Sequence, residues 1–203
     1  MPGSKKIVSE GVTNADIPGA VIEIVTPDWK WSYAAGYAPL PPVISAEPEM
    51  HFFIASVTKP FVSIAILQLA EEVKLALDDP IDSYLPLDIA EAIIKSDEIT
   101  IRQLLDHTSG IADYDEISLI LEEYENPGYT VSYEQGMWDS LHDGPLYDPG
   151  MGYTYSNVNY ILLTLIIDRA SGTTYEEYIK EEIINPVGMK NTSVHRSNRL
   201  PDP

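Results

Sequence analysis

Ile54-Ala55-Ser56-Val57-Thr58-Lys59-Pro60-Phe61 sets a hydroxyl and an amine three residues apart just ahead of a strongly apolar run, and its reading decides what the chain folds into. On a helix, residues three apart share a face with Cβ atoms about 5 to 6 Å apart, so the Lys59 amine reaches the Ser56 hydroxyl. Pro60 places the turn. Proline has no N–H and is tolerated only in the first turn of a helix, so the helix starts within a residue or two of Ser56. The positive end of the helix dipole then lies beside both groups. It disfavours an ammonium and favours an alkoxide, which is the polarity an amine needs to take a serine proton.

The spacing alone decides little, because 16 serines and 8 lysines in 203 residues supply roughly 0.6 such pairs by chance. A serine cap followed by an exposed lysine accounts for the same residues. A second stretch adds weight. Asp148-Pro149-Gly150-Met151-Gly152-Tyr153-Thr154-Tyr155-Ser156-Asn157 is a rigid turn running into an apolar helix that starts near Val158. Tyr155 is placed to share proton traffic with Lys59, and Asn157 to hydrogen-bond a substrate amide. Tyr124-Glu125-Asn126 repeats the Tyr-x-Asn pattern in a polar, acidic segment and reads as a decoy.

Together these stretches resemble the penicillin-recognising serine enzymes: class C β-lactamases, D-alanyl-D-alanine carboxypeptidases and related esterases. The resemblance runs from about Ile17 to the end of the chain. It includes Ile17-Pro18-Gly19-Ala20-Val21, the Ser56 stretch, Ile99-Thr100-Ile101-Arg102-Gln103-Leu104-Leu105-Asp106-His107-Thr108-Ser109-Gly110, the Tyr155 loop and Pro186-Val187-Gly188-Met189-Lys190-Asn191-Thr192. It implies an α+β fold of the β-lactamase/transpeptidase type, mostly helical here, with an N-terminal β-hairpin and without the family's C-terminal strands. It implies Ser56 as acyl-accepting nucleophile, Lys59 as its base, Tyr155 as second proton-transfer group and Asn157 as ligand of the substrate amide. The Ser56 backbone N–H would supply one oxyanion-hole donor. His107 invites a triad reading, but in this family the His-Thr-Ser-Gly turn is structural.

Two departures stand out. The family's third signature, Lys-Thr-Gly or His-x-Gly on a strand walling the site, is expected beyond Pro203. The nearest textual match, His142-Asp143-Gly144, precedes the tyrosine loop and reads as part of a turn. Losing the oxyanion donor on that strand costs about 10²- to 10³-fold in turnover. The second departure is Val73, where the family commonly has glycine at the end of the nucleophile helix. A β-branched residue resists the left-handed conformation, so that helix is expected to end differently.

At 203 residues, 22.6 kDa and 44% hydrophobic residues, the chain is large enough for one domain with a real core. We expect a single incomplete domain over residues 1–203, with strands and linker at about 17–55 and the nucleophile helix and helical region at about 56–203. Within it, residues 20–25 and 30–37 read as strands joined by Thr26-Pro27-Asp28-Trp29, followed by a Pro-rich stretch over 39–48. Helices are expected at 61–75, 99–105 opened by Thr100, 117–124, 158–170 stopped by Ser171-Gly172, and 174–184 with Thr174 and Glu177 as a capping box. The ending Asn198-Arg199-Leu200-Pro201-Asp202-Pro203 suggests a fragment or truncated form of a larger hydrolase. The strand edge left open would pair with another chain, either a second copy or a complementing partner.

Twelve Lys and Arg against 32 Asp and Glu leave a net charge of −20, which argues against nucleic acid and anionic membrane surfaces. Without cysteine there is no disulfide framework or thiolate metal site, and His51, His107, His142 and His195 show no metal-ligand spacing. No cofactor is implied and no glycine-rich phosphate loop is present. No run of about 20 apolar residues would span a membrane, and Met1-Pro2-Gly3-Ser4-Lys5-Lys6 lacks the apolar core of a signal peptide, which leaves the compartment open. Three functions follow: a serine hydrolase acting on an ester, D-alanyl peptide or β-lactam; a catalytically incomplete relative; or half of a two-chain assembly. Serine between Tyr155 and Asn157, where class C β-lactamases usually have alanine, favours esterase or carboxypeptidase.

Overall fold

The computed structural model describes residues 2–38, 43–115, 121, 125 and 133–195, and its contacts group into two compact units, within 1–53 and within 54–199. In the first unit, helix α1 (Pro2–Asn14) precedes strands β1 (Gly19–Val25), β2 (Lys30–Ala38) and β3 (Ile44–Ser45). β1 and β2 pair antiparallel from Gly19 opposite Gly36 to Val25 opposite Lys30. The hairpin turn is the expected one: the Thr26 amide donates to the Trp29 carbonyl at 2.9 Å, and the Trp29 amide donates back to the Thr26 hydroxyl at 3.1 Å. β3 adds two pairs, Tyr37 with Ser45 and Ala38 with Ile44. Among the described residues β1 is paired on one side only.

Two of these elements depart from the sequence reading. β3 lies inside the Pro-rich stretch, and α1 occupies residues to which no element was assigned. With Gly3, Gly11 and little apolar content, α1 has weak intrinsic helicity. It packs on β1 and β2, and the Ser9 hydroxyl lies 3.0 Å from the Tyr33 hydroxyl. Tertiary packing of this kind carries most helical stability.

The second unit is built around two apolar helices, α2 (Lys59–Glu71) and α6 (Asn157–Ser171), which pack against each other. Val62, Ala65, Ile66 and Leu69 face Val158, Leu162, Leu163, Ile166 and Ile167 in one buried cluster. Burying each large aliphatic side chain contributes roughly 1.5 to 3 kcal/mol, so this seam holds the two chemistry-bearing segments at a fixed separation. α3 (Leu87–Ala92), α4 (Ile101–Leu105), α5 (Tyr133–Asp143) and α7 (Tyr175–Ile179) complete the shell. Ile101, Leu104, Met137 and Ile179 join the same core.

Helix ends account for most differences from expectation. α4 starts at Ile101 because Thr100 is its cap: the Thr100 hydroxyl accepts the Gln103 amide and the Gln103 side chain accepts the Thr100 amide. Ile99 lies outside the helix, its carbonyl accepting from Ile81. Thr174 caps α7 through the Glu177 amide, one half of the expected box. The ladder then changes to π-type over Lys180–Ile184, so the expected helix 174–184 is two segments. His142 and Asp143 close α5 instead of forming a turn, with Gly144 at φ +81 beyond it. The expected helix 117–124 and the Tyr124-Glu125-Asn126 decoy fall largely outside the described residues.

Val73 contradicts its expectation outright. It adopts φ 59, and its amide donates to Ala70 while the Lys74 amide donates to Leu69. That is the double-bonded Schellman closure usually built on glycine. The backbone closes as it would with glycine, and valine carries the strain because two otherwise orphaned helix carbonyls need partners.

Candidate active site

Ser56 lies in a single 3₁₀ turn, Ala55–Thr58, that leads into α2 at Lys59. The turn is entered through Ala55 at φ 44, a left-handed conformation that is costly for a residue with a Cβ. It brings the Lys59 Nζ to 3.2 Å from the Ser56 Oγ, one turn along the helix. Ser56 is exposed and Lys59 half-buried.

The partner segment enters from α6. The Tyr155 hydroxyl is 2.7 Å from the Ser56 Oγ, and the Asn157 Oδ1 accepts from the Lys59 Nζ at 2.7 Å. The structure therefore brings Ser56, Lys59, Tyr155 and Asn157 into one hydrogen-bonded cluster, across about a hundred residues of sequence. The Lys59 amine also lies over the faces of the Tyr155 and Tyr160 rings, 4.8 and 5.3 Å from their centroids. Tyr160 is held in turn by the Leu105 carbonyl and the Ser63 hydroxyl.

The Tyr155 loop is cradled by the turn that follows α4. The Thr154 and Gly150 amides donate to the carbonyls of His107 and Thr108, and the Ser156 hydroxyl donates to the Ala112 carbonyl. Lys95 pairs with Asp148 at 2.9 Å where the loop begins. Gly110, at φ +84, is required here. A Cβ at that position would overlap the Tyr147 carbonyl.

His107 is buried, with its ring 4.6 Å from that of Tyr155 and 5.3 Å from that of Tyr160. Its Nδ1 accepts the Ser156 amide at 3.2 Å and faces the Asn159 amide nitrogen at 3.4 Å. Burial, and after it the charge of Lys59, push the imidazole below its usual range, against smaller opposing contributions from Asp106 and Asp113. The ring is thereby kept neutral, as an acceptor at Nδ1 requires. Its bonds run to the tyrosine loop and leave Ser56 to Lys59 and Tyr155.

Sequence reasoning missed Asp113. Its Oδ1 accepts the Asn157 backbone amide at 2.8 Å and its Oδ2 accepts the Asn157 side-chain amide at 3.0 Å. A lone aspartate three residues past Gly110 carries no motif, so nothing in the sequence marks it. Asn159, buried and bonded to the Ser109 hydroxyl at 2.8 Å, was missed for the same reason. Among the described residues no cluster of His, Asp and Glu could hold a metal ion, and no helix is long and apolar enough to cross a membrane.

A hydroxyl flanked by an amine and a phenol, at the start of a helix packed into the core by one face, is an arrangement suited to acyl transfer. The Beta-lactamase family model matches residues 5–201. Penicillin-binding protein 4* of Bacillus subtilis (strain 168) is 31% identical over 187 residues, covering 91% of this chain and 39% of that protein. Among solved structures, a D-stereospecific amidohydrolase from Streptomyces sp. superposes with a TM-score of 0.76 at 27% identity, over 93% of this chain and 55% of that one. An octameric penicillin-binding protein homologue from Pyrococcus abyssi gives 0.74 at 28% identity, over 91% and 42%. The chain thus spans between about two fifths and just over half of the length of these proteins. The shared helical frame and the family match over nearly the whole sequence establish that this chain belongs to the β-lactamase family of penicillin-recognising serine hydrolases.

Proposed function

We propose that the chain carries the acylation site of a serine hydrolase, with Ser56 as nucleophile. Lys59, in its neutral form, takes the Ser56 proton as the Oγ attacks the substrate carbonyl. The tetrahedral oxyanion forms beside the Ser56 backbone N–H. Collapse expels the leaving group, which receives a proton through Tyr155, and leaves an acyl ester on Ser56. Water then attacks that ester with a proton passing back into the same pair, releasing the acid and the free hydroxyl. Asn157 holds Lys59 and presents an amide N–H to a substrate amide. The substrate is an ester, a D-alanyl peptide or another amide, or a β-lactam, with ester or peptide favoured by Ser156.

The observation that carries this reading is the Ser56 hydroxyl lying 2.7 Å from the Tyr155 hydroxyl and 3.2 Å from the Lys59 amine. Since the chain spans only part of its relatives' length, acylation and full turnover are tested separately; a catalytically incomplete module, or one completed by another chain, would acylate without turning over. Intact-mass spectrometry after incubation with a fluorophosphonate or a β-lactam should show one adduct on the parent chain and none on Ser56→Ala. Lys59→Ala should abolish it. An unmodified parent, or an adduct that survives Ser56→Ala, refutes the assignment.

A further inference from the structure

We propose that Asp113 is a positioning residue for this site: its carboxylate turns the Asn157 side-chain amide so that the oxygen faces Lys59, and thereby holds the amine against Ser56. The inference rests on the acyl-transfer reading above. An asparagine amide is nearly symmetric in shape, so its orientation is set by the polarity of its partners. Lys59 keeps its lone pair for the Ser56 proton and meets Asn157 with an N–H, so it needs the amide oxygen, which accepts at 2.7 Å. An ionised carboxylate can only accept, so at 3.0 Å from Asp113 Oδ2 the other end of the amide must be the NH₂.

Asp113 is itself held. Its Oδ1 accepts the Tyr114 amide at 3.1 Å and the Asn157 amide at 2.8 Å, which ties the first residue of α6 to the segment after Gly110. Polarisation then runs one way, from carboxylate through amide to amine, and a charged acceptor at its end strengthens both bonds. One N–H of the Asn157 NH₂ is used by Asp113. The other is left for a substrate carbonyl, so the same carboxylate decides which face of Asn157 a substrate meets.

Asp113→Asn separates positioning from scaffolding. One oxygen still accepts both backbone amides, but an NH₂ now faces the Asn157 NH₂, and the Asn157 amide turns over and presents donors to Lys59. Ser56 modification by a fluorophosphonate, which has no amide to bind, should slow about 10- to 100-fold with the unfolding temperature little changed. In an Asn157→Ala background the same substitution should cause no further slowing, because its effect passes through Asn157. The Asn157 side-chain NH₂ signals in a ¹⁵N–¹H spectrum, identified by their loss in Asn157→Ala, should shift in D113N.

Modification of D113N at the parent rate overturns the proposal. So does an equal further slowing in the Asn157→Ala background, which is the signature of a scaffold effect. A parent chain that takes no adduct refutes the functional reading alone, whereas Asn157 amide signals unmoved by D113N refute the positioning of Asn157 whether or not an adduct forms.

Discussion

Replacing Val73 by glycine should stabilise the protein. Val73 closes α2 at φ 59, and the residue is 88% exposed, so the valine supplies almost no packing to lose. A residue with a Cβ in the left-handed region costs about 1 to 2 kcal/mol, and β-branching puts valine toward the upper end. Glycine removes that cost but gives the unfolded chain more freedom, worth about 0.4 to 1 kcal/mol in the opposite direction. The net gain is about 1 kcal/mol. For a chain of this size it corresponds to a rise of about 2 to 4 °C in Tm. Thermal unfolding followed by circular dichroism reads it directly. Val73→Ala keeps the Cβ and loses only the branch, so it should fall between the two. Thirteen helical residues, about 20 Å, separate Val73 from the start of α2, so Ser56 modification should keep its rate. A Tm for Val73→Gly equal to or below that of the parent would refute the reasoning, since it would mean that the left-handed valine costs nothing.

Stability should also fall with acid through His107. Burial depresses its folded pKa below the ordinary value of 6.5, so the unfolded chain takes the proton first. The contribution is complete above about 6.5 and declines as pH drops from there toward the folded value, before most carboxylates titrate. Denaturant unfolding of the parent and of His107→Gln between pH 7.5 and 5 should show a steeper loss in the parent, and parallel curves would discard the idea. Gly110→Ala should destabilise severely, because it combines φ +84 with an overlap on the Tyr147 carbonyl. An unfolding free energy within about 0.5 kcal/mol of the parent would show that the turn yields more easily than its geometry implies.

What the sequence revealed is mostly what short-range rules control. The hairpin turns where Thr26-Pro27-Asp28-Trp29 places it, Thr100 caps its helix through Gln103, and Gly172 at φ 78 ends α6 where Ser171-Gly172 stops the apolar run. The failures come from longer range. α1 is helical despite two glycines because β1 and β2 give it a surface. Val73 adopts glycine's conformation because the carbonyls of Leu69 and Ala70 need donors and the neighbouring backbone supplies them only in that shape.

The same division runs through the candidate site. Ser56 and Lys59 are a local pair: helical periodicity alone puts one above the other, and Pro60 sets where the helix begins. The sequence could therefore name them and could associate them with Tyr155 and Asn157 by resemblance. Only the tertiary structure decided that the Tyr155 hydroxyl lies 2.7 Å from Ser56, since that distance depends on how α2 and α6 pack through their buried aliphatic faces. It alone exposed Asp113, whose role depends on which atoms face it across the loop and not on any pattern of neighbours in the chain.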